Sequence, residues 1–325
     1  MPRARLGALV LATVLCGYLA GGSTGVSLAL LTDQESVPST FTTAASFPDT
    51  TPPVVASSVI SKTTPYVPGF IRQGGTYFVY ANVTDAGSGV ATVRANVSNV
   101  TTGQTSVALV AGSFSIGGVS YNYRSASVTA NAVLTAGSKT YTITATDVAT
   151  NSVTQSGFSV TVDNTQPAGS AIATTNVGGG VVGRPDLGDT ITLTFTEQID
   201  PQTVLAGWTG TSTSVVVRIT QAGGGDTLTI RDAANASQLP LGSVNLGGTN
   251  YVTATRDFGA TGTASSMSQS GASITIVLGT PSGAVATQAT TTTMVWTPAA
   301  AATDRAGNAC LTTVVNEAAP ADIDF

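Results

Sequence analysis

Between residues 54 and 166, apolar side chains recur at every second position. Tyr77, Val79, Ala81 and Val83 fall on one side of their segment, and Ala91, Val93, Ala95 and Val97 on one side of the next. Tyr141, Ile143 and Ala145 alternate with Thr140, Thr142, Thr144 and Thr146, and Phe158-Ser159-Val160-Thr161-Val162 repeats the rule. In an extended chain successive side chains point to opposite faces, so this alternation specifies strands with one dry and one wet face. Bounded by Gly, Asn and Asp turns, such strands pair antiparallel. No stretch carries helical periodicity, and the expected fold class is all-β.

The wet faces are mostly threonine, which makes up about one residue in six, while charged residues are 9% of the chain against about 25% in ordinary globular proteins. Threonine is β-branched, stiff at χ1 and polar enough to face water. It keeps a sheet soluble with few charges but leaves sheet edges weakly guarded, because Lys62 and Lys139 are the only lysines and edge lysine is a principal defence against strand pairing. Both are read as solvated.

Composition removes several functions. The chain has no His, which excludes Ser-His-Asp and Cys-His nucleophile systems and imidazole-bound zinc. Lys+Arg is 12 against 17 Asp+Glu, a net charge of −5. No basic patch can neutralise a run of phosphates, so nucleic acid is not an expected partner, and anionic lipid is disfavoured too. Glu197 and Asp200 are a carboxylate pair of the kind glycoside hydrolysis uses, but no cleft rich in aromatic residues surrounds them in sequence. No enzyme activity is expected.

The N-terminus reads as an export signal. Arg3 and Arg5 precede a 15-residue apolar run from Leu6 to Ala20, short of the roughly 20 residues that span a bilayer. Ser27-Leu28-Ala29 is a small-x-small cleavage site, so residues 1–29 are expected to be a signal peptide cut after Ala29, leaving no stable transmembrane anchor. Cys16 leaves with it, and Cys310 then has no intramolecular disulfide partner. Residues 30–53 are expected to be an extended Pro/Thr-rich linker. A second hinge, Asp163-Asn164-Thr165-Gln166-Pro167, follows the first, Asp49-Thr50-Thr51-Pro52-Pro53, by 114 residues, a spacing that suits one immunoglobulin-size sandwich.

Three stretches carry family resemblances. Leu30-Leu31-Thr32-Asp33-Gln34-Glu35 followed by Ser39-Thr40-Phe41-Thr42-Thr43-Ala44 resembles the leader region of proteins processed by SipW-type signal peptidases, the TasA and camelysin group. Ser39 stands where Asn is usual and Ala45 where Gly is usual. Asp85-Ala86-Gly87-Ser88-Gly89-Val90 and Ala145-Thr146-Asp147-Val148-Ala149-Thr150-Asn151, closed by Val162-Asp163-Asn164-Thr165-Gln166-Pro167, resemble the turns of bacterial immunoglobulin-like surface domains, with Thr150 in place of Gly. Gly188-Asp189-Thr190-Ile191-Thr192-Leu193-Thr194-Phe195-Thr196-Glu197, with Asp304-Arg305-Ala306-Gly307-Asn308 near the end, is similar to the SbsA-type immunoglobulin-like domain of surface-layer proteins. These resemblances imply two tandem immunoglobulin-like antiparallel β-sandwiches, 54–166 and 167–319, after a cleaved signal helix. Ile191, Leu193 and Phe195 face inward. Strands are expected at 215–220, 227–231, 251–255, 273–278 and 292–297, with an inserted hairpin or long loop in 232–272 and a mobile acidic tail at 320–325.

Candidate site residues follow. Asp85, Asp147, Asp189 and Asp304 stand at strand ends where carboxylates and loop carbonyls can supply the six to eight oxygens of a structural Ca²⁺. The same residues build turns through Asx-type hydrogen bonds, and turn-building is the favoured reading. No other cofactor is expected. Trp208, between Gly207 and Thr209, is either core or a sugar contact. A Lys–Asn isopeptide bond, which some surface domains carry, would need a buried lysine. The expectation is therefore a secreted, cell-surface-associated structural or adhesive protein. It would bind cell-envelope or matrix components, or other copies of itself by strand addition. A carbohydrate-binding or accessory module of a secreted system is the alternative.

Overall fold

A computed structural model describes residues 48–325 with the exception of Thr64. The expected cleavage site at Ala29, the signal segment and most of the linker lie outside the described residues. From Pro48 to Phe325 the chain forms one compact unit built almost wholly of strands, arranged as two β-sandwiches in series.

The first sandwich contains β1 (Val54–Ser61), β2 (Phe70–Ile71), β3 (Thr76–Thr84), β4 (Val90–Asn96), β5 (Val107–Ile116), β6 (Val119–Ser125), β7 (Val128–Thr129), β8 (Gly137–Asp147) and β9 (Ser152–Val162). Their order is β1-β3-β6-β5-β4-β8-β9-β2, with β7 beside β3. All pairings are antiparallel except β2 with β9, where Phe70 lies opposite Thr161 and Ile71 opposite Val162. The core is the dry face read from the alternation: Tyr77, Val79, Ala81, Val83, Val93, Ala95, Tyr141, Ile143, Ala145, Val160 and Val162 are all buried. The opposite face of β3 is covered too. The β5–β6 hairpin folds over Tyr80 with Ile116 and Tyr121, and the Arg124 guanidinium lies between the rings of Phe78 and Phe114, 4.9 and 4.5 Å from their centroids.

The second sandwich contains β10 (Gly169–Thr175), β11 (Thr190–Phe195), β12 (Thr213–Thr220), β13 (Thr227–Arg231), β14 (Gln238–Asn245), β15 (Arg256–Phe258), β16 (Ser265–Ser270), β17 (Ser273–Val277), β18 (Val295–Thr297) and β19 (Val315–Asn316). Their order is β10-β11-β17-β16-β12-β13-β14-β18-β19, with β15 beside β12. Ile191, Leu193 and Phe195 are buried, and Phe195 meets Trp296 edge to face at 4.9 Å. One helical turn, α1 (Pro201–Val204), follows β11 and is capped by Asp200, which accepts from the Gln202 N–H.

Two sequence expectations are corrected. Residues 251–255 are not a strand: the buried Asp226 carboxylate takes the N–H groups of Tyr251 and Val252 at 3.0 and 3.1 Å, so these donors do not enter a ladder. The C-terminal tail is packed. Asp324 and Phe325 are buried; Asp324 accepts from Thr174 and Tyr251, and Phe325 meets the Tyr251 ring edge to face. An aromatic final residue supplies the apolar area that anchors it.

Candidate functional site

Each sandwich opens on the same construction. A hinge Asp precedes the first strand and accepts the N–H two residues on: Thr51 to Asp49 at 3.0 Å and Thr165 to Asp163 at 3.0 Å. The hinge backbone carbonyl is held by an Asn side chain, Asn151 to Asp49 at 3.0 Å and Asn308 to Asp163 at 2.9 Å. Each Asn is fixed by the Asp four residues before it. Asp147 accepts the Asn151 N–H and side-chain amide, both at 2.8 Å. Asp304 accepts those of Asn308 at 2.7 and 2.8 Å. The D-x-x-x-N turn thus exists to clamp the incoming chain.

A third carboxylate completes each cluster from the end of the second long strand, Asp85 after β3 and Glu197 after β11. In Asp49–Asp85–Asp147 and in Asp163–Glu197–Asp304, carboxylate oxygens lie within 4.8 Å of one another. Backbone donors from Thr51 and Ser88 hold Asp49 below the usual carboxylate range. Glu197 is pushed the other way, up to about 7, by burial first and then by Asp163 and Asp304, with Arg305 opposing. One oxygen of Asp85 and one of Glu197 are buried without a hydrogen-bond partner. Those two atoms are what either trio could offer a hard divalent cation, because most of the remaining carboxylate oxygen is already committed to turn N–H groups.

Three of the four sequence candidates, Asp85, Asp147 and Asp304, therefore fall in these trios. Asp189 does not. It is fully buried at the opposite end of the second sandwich, where its two oxygens accept from Val177 at 2.8 Å and Asp186 at 2.6 Å. It organises the loop between β10 and β11. Sequence reasoning missed Asp49 as a member of a trio, and the recurrence of the hinge was the signal that could have found it. A third group joins Glu317, directly after β19, to Asp322 and Asp324 of the tail that was expected to be mobile.

The second trio is also a joint, because the first sandwich caps it. Lys62, expected to be solvated, is largely buried and pairs at 2.9 Å with the fully buried Asp200; it also donates to the Asp304 carbonyl at 3.2 Å. The Tyr66 N–H points at the same Asp200 carboxylate. Arg305 stacks 4.2 Å over the Phe70 ring. Gln166 donates to the Ala309 carbonyl and Leu311 to the Pro167 carbonyl.

Trp208 is not a surface contact. It is buried in the second core, and its indole N–H donates to the Thr211 carbonyl at 2.6 Å; the flanking glycines let the loop turn the ring inward. Burial of this area outweighs exposure for a ring that can satisfy its one donor locally.

No protein-family model matches the chain, and no curated protein matches it. Among solved structures it is similar to the dimeric latent PorU from Porphyromonas gingivalis at 13% identity and a TM-score of 0.22, over 74% of this chain and 21% of that one. It is also similar to a chimeric titin Z1Z2-Z1Z2 tandem carrying a GRGDS peptide from fibronectin, at 12% identity and a TM-score of 0.17, over 82% of this chain and 96% of that one. The chain thus spans about a fifth of the length of the PorU chain. No helix among the described residues is long and apolar enough to cross a membrane.

Proposed function

We propose that this is a secreted, cell-surface-associated structural or adhesive protein whose work is to hold two immunoglobulin-like domains at a fixed joint and present their faces to envelope or matrix components. The observation that carries this reading is the joint itself. A buried ion pair, a cation–π contact and a clamped hinge tie the two sandwiches together, which suits a spacer rather than a pair of independently moving modules. Wet faces built from threonine, on a chain without histidine, fit a role exercised by contact rather than by chemistry.

Export through a SipW-type signal and membership of the SbsA-type domain group belong to this proposal, on the strength of the motifs at 30–44, 188–197 and 304–308. Partners are engaged through loops or through the lightly guarded sheet edges. Mass spectrometry of the protein from its native cells, fractionated into cytoplasm, envelope and medium, tests the reading. The expected result is a mature chain beginning near Leu30 in the envelope or the medium. A chain that keeps residues 1–29 and stays in the cytoplasm overturns it.

A further inference from the structure

Four Asn-x-Ser/Thr triplets occur in the chain: Asn82-Val83-Thr84, Asn96-Val97-Ser98, Asn99-Val100-Thr101 and Asn235-Ala236-Ser237. The triplet is the acceptor pattern for N-linked sugar, and in a chain this rich in Ser and Thr it also arises by chance. The fold separates the four.

Three of them have their amides committed. Asn82 is half-buried within β3, and its Nδ2 donates to the Ser120 carbonyl at 3.0 Å. In an extended strand the residue two places on also lies about 6.6 Å further along, out of reach of the amide. The Asn99 Nδ2 donates to the Thr140 carbonyl at 3.0 Å and to its hydroxyl at 3.3 Å, while the Thr101 hydroxyl bonds to Tyr77 and to the Thr129 carbonyl. The Asn235 side chain accepts from Arg231 at 2.7 Å and donates to Asp257 at 2.8 Å.

Asn96 differs on each count. It is the exposed last residue of β4, at the other end of that strand from Val90 and the Asp147 turn. The chain turns directly after it, and the Val100 and Thr101 N–H groups both donate to the Val97 carbonyl. The turn brings Ser98 back, so that its N–H and its hydroxyl both donate to Asn96 Oδ1, at 3.1 and 2.8 Å. This is an Asx turn reinforced by the hydroxyl. Both bonds fall on Oδ1, and no described residue holds Nδ2. Donation to the amide oxygen polarises the amide and makes an Nδ2 proton easier to remove. Beside Asn96 the surface dips into a cavity of about 290 Å³ lined by Ser98, Asn99, Thr140, Thr142 and Ser156. A hollow of hydroxyls and amides suits a sugar ring, whose own hydroxyls need donors and acceptors.

We propose that Asn96 is a glycosylation site, carrying an N-linked oligosaccharide whose first sugar lies against this hollow. The donor is a polyprenyl-pyrophosphate oligosaccharide. A base of the transferase takes one Nδ2 proton and Nδ2 bonds to the anomeric carbon. The bond from that carbon to the pyrophosphate oxygen breaks, and its electron pair leaves with the pyrophosphate. The inference rests on the export proposed above, because this modification belongs to surface loops of secreted chains.

Two measurements test it. In the first, the purified full chain is incubated with a polyprenyl-pyrophosphate oligosaccharide and a single-subunit oligosaccharyltransferase that reads Asn-x-Ser/Thr alone, and the product is read by intact mass and glycopeptide fragmentation. The folded chain is expected to gain one glycan, on Asn96. Asn96→Gln and Ser98→Ala are expected to abolish the gain, Ser98→Thr to keep it, and Asn99→Gln and Asn235→Gln to leave it unchanged. In the second, the chain is recovered from its native cells and digested, and the peptide containing Asn96 is expected to carry the sugar mass. A folded chain that takes no glycan, or takes it at Asn82, Asn99 or Asn235 in preference, overturns the proposal. A processed chain in the envelope or medium with a bare Asn96 sinks this inference and leaves the export reading in place. A chain that keeps residues 1–29 in the cytoplasm with a bare Asn96 overturns both.

Discussion

Lys62 and Asp200 meet at 2.9 Å across the joint, and the Asp200 side chain is fully buried. The same carboxylate caps α1 through Gln202 at 3.1 Å and faces the Tyr66 N–H. One buried anion thus ties the loop after β1, the start of α1 and the entry to the second sandwich together. Removing only the cation leaves that anion unpaired, which costs about 3–5 kcal/mol. Lys62→Met is expected to lower stability by about 3 kcal/mol in urea titration, and adding Asp200→Asn is expected to restore part of the loss. Equal stability of wild type and Lys62→Met would mean the pair contributes nothing.

The two D-x-x-x-N turns fill the same positive-φ position with different residues. Gly307 has φ +94° and its counterpart Thr150 has φ +75°. A β-branched residue rarely adopts positive φ, and such strain costs on the order of 1–3 kcal/mol. Thr150→Gly is expected to stabilise the first sandwich by about 1 kcal/mol after the entropy cost of glycine, and Gly307→Thr to destabilise the second. Thermal melts of the two variants should move in opposite directions; movement in the same direction would contradict the assignment.

The carboxylates set a pH dependence whose sign can be worked out. Burial comes first in raising Glu197 and Glu317 to about 7 from an ordinary 4.5. A folded-state pKa above the unfolded one means the folded chain holds these protons more tightly. Their contribution is complete below the unfolded value and is lost as pH rises through about 7. Asp49, held down by Thr51 and Ser88, and Asp257, held down by Arg218, act the other way and lose their contribution on acidification. The melting temperature is expected to peak at mildly acidic pH, about 5 to 6, and to fall toward pH 8. The Glu197→Gln/Glu317→Gln double variant should flatten the alkaline limb. A melting temperature that climbs steadily from acid to pH 8 would refute this.

Much of the architecture was legible because period-two alternation reports directly on which face of a strand is dry. Tyr77 to Val83 and Ile191 to Phe195 needed nothing more than that. The outer aromatic cover on Tyr80 was not legible. Phe78 and Tyr80 occupy the wet phase of the alternation, and only the fold-over of the β5–β6 hairpin makes that face dry. In the site, Asp147 and Asp304 stood out through their turns, but nothing local distinguishes them from Asp189, which spends its oxygens on a different loop. Lys62 was misread for a related reason: its partner Asp200 is distant in sequence and lies in the other sandwich. The packed tail was missed because its acidic composition masks the anchoring effect of Phe325.

The clamped hinge also bears on how the molecule would carry load. Tension arriving from the first sandwich does not pass straight into β10. It meets the hold of Asn308 on the Asp163 carbonyl, of Gln166 on Ala309 and of Leu311 on Pro167, all made to the loop that begins at Asp304. Those bonds must give way before the first strand of the second sandwich is pulled, and their release pays out a short length of slack. Under stretch the hinge would yield first and reseat when the pull relaxes, sparing the sheets from being unzipped.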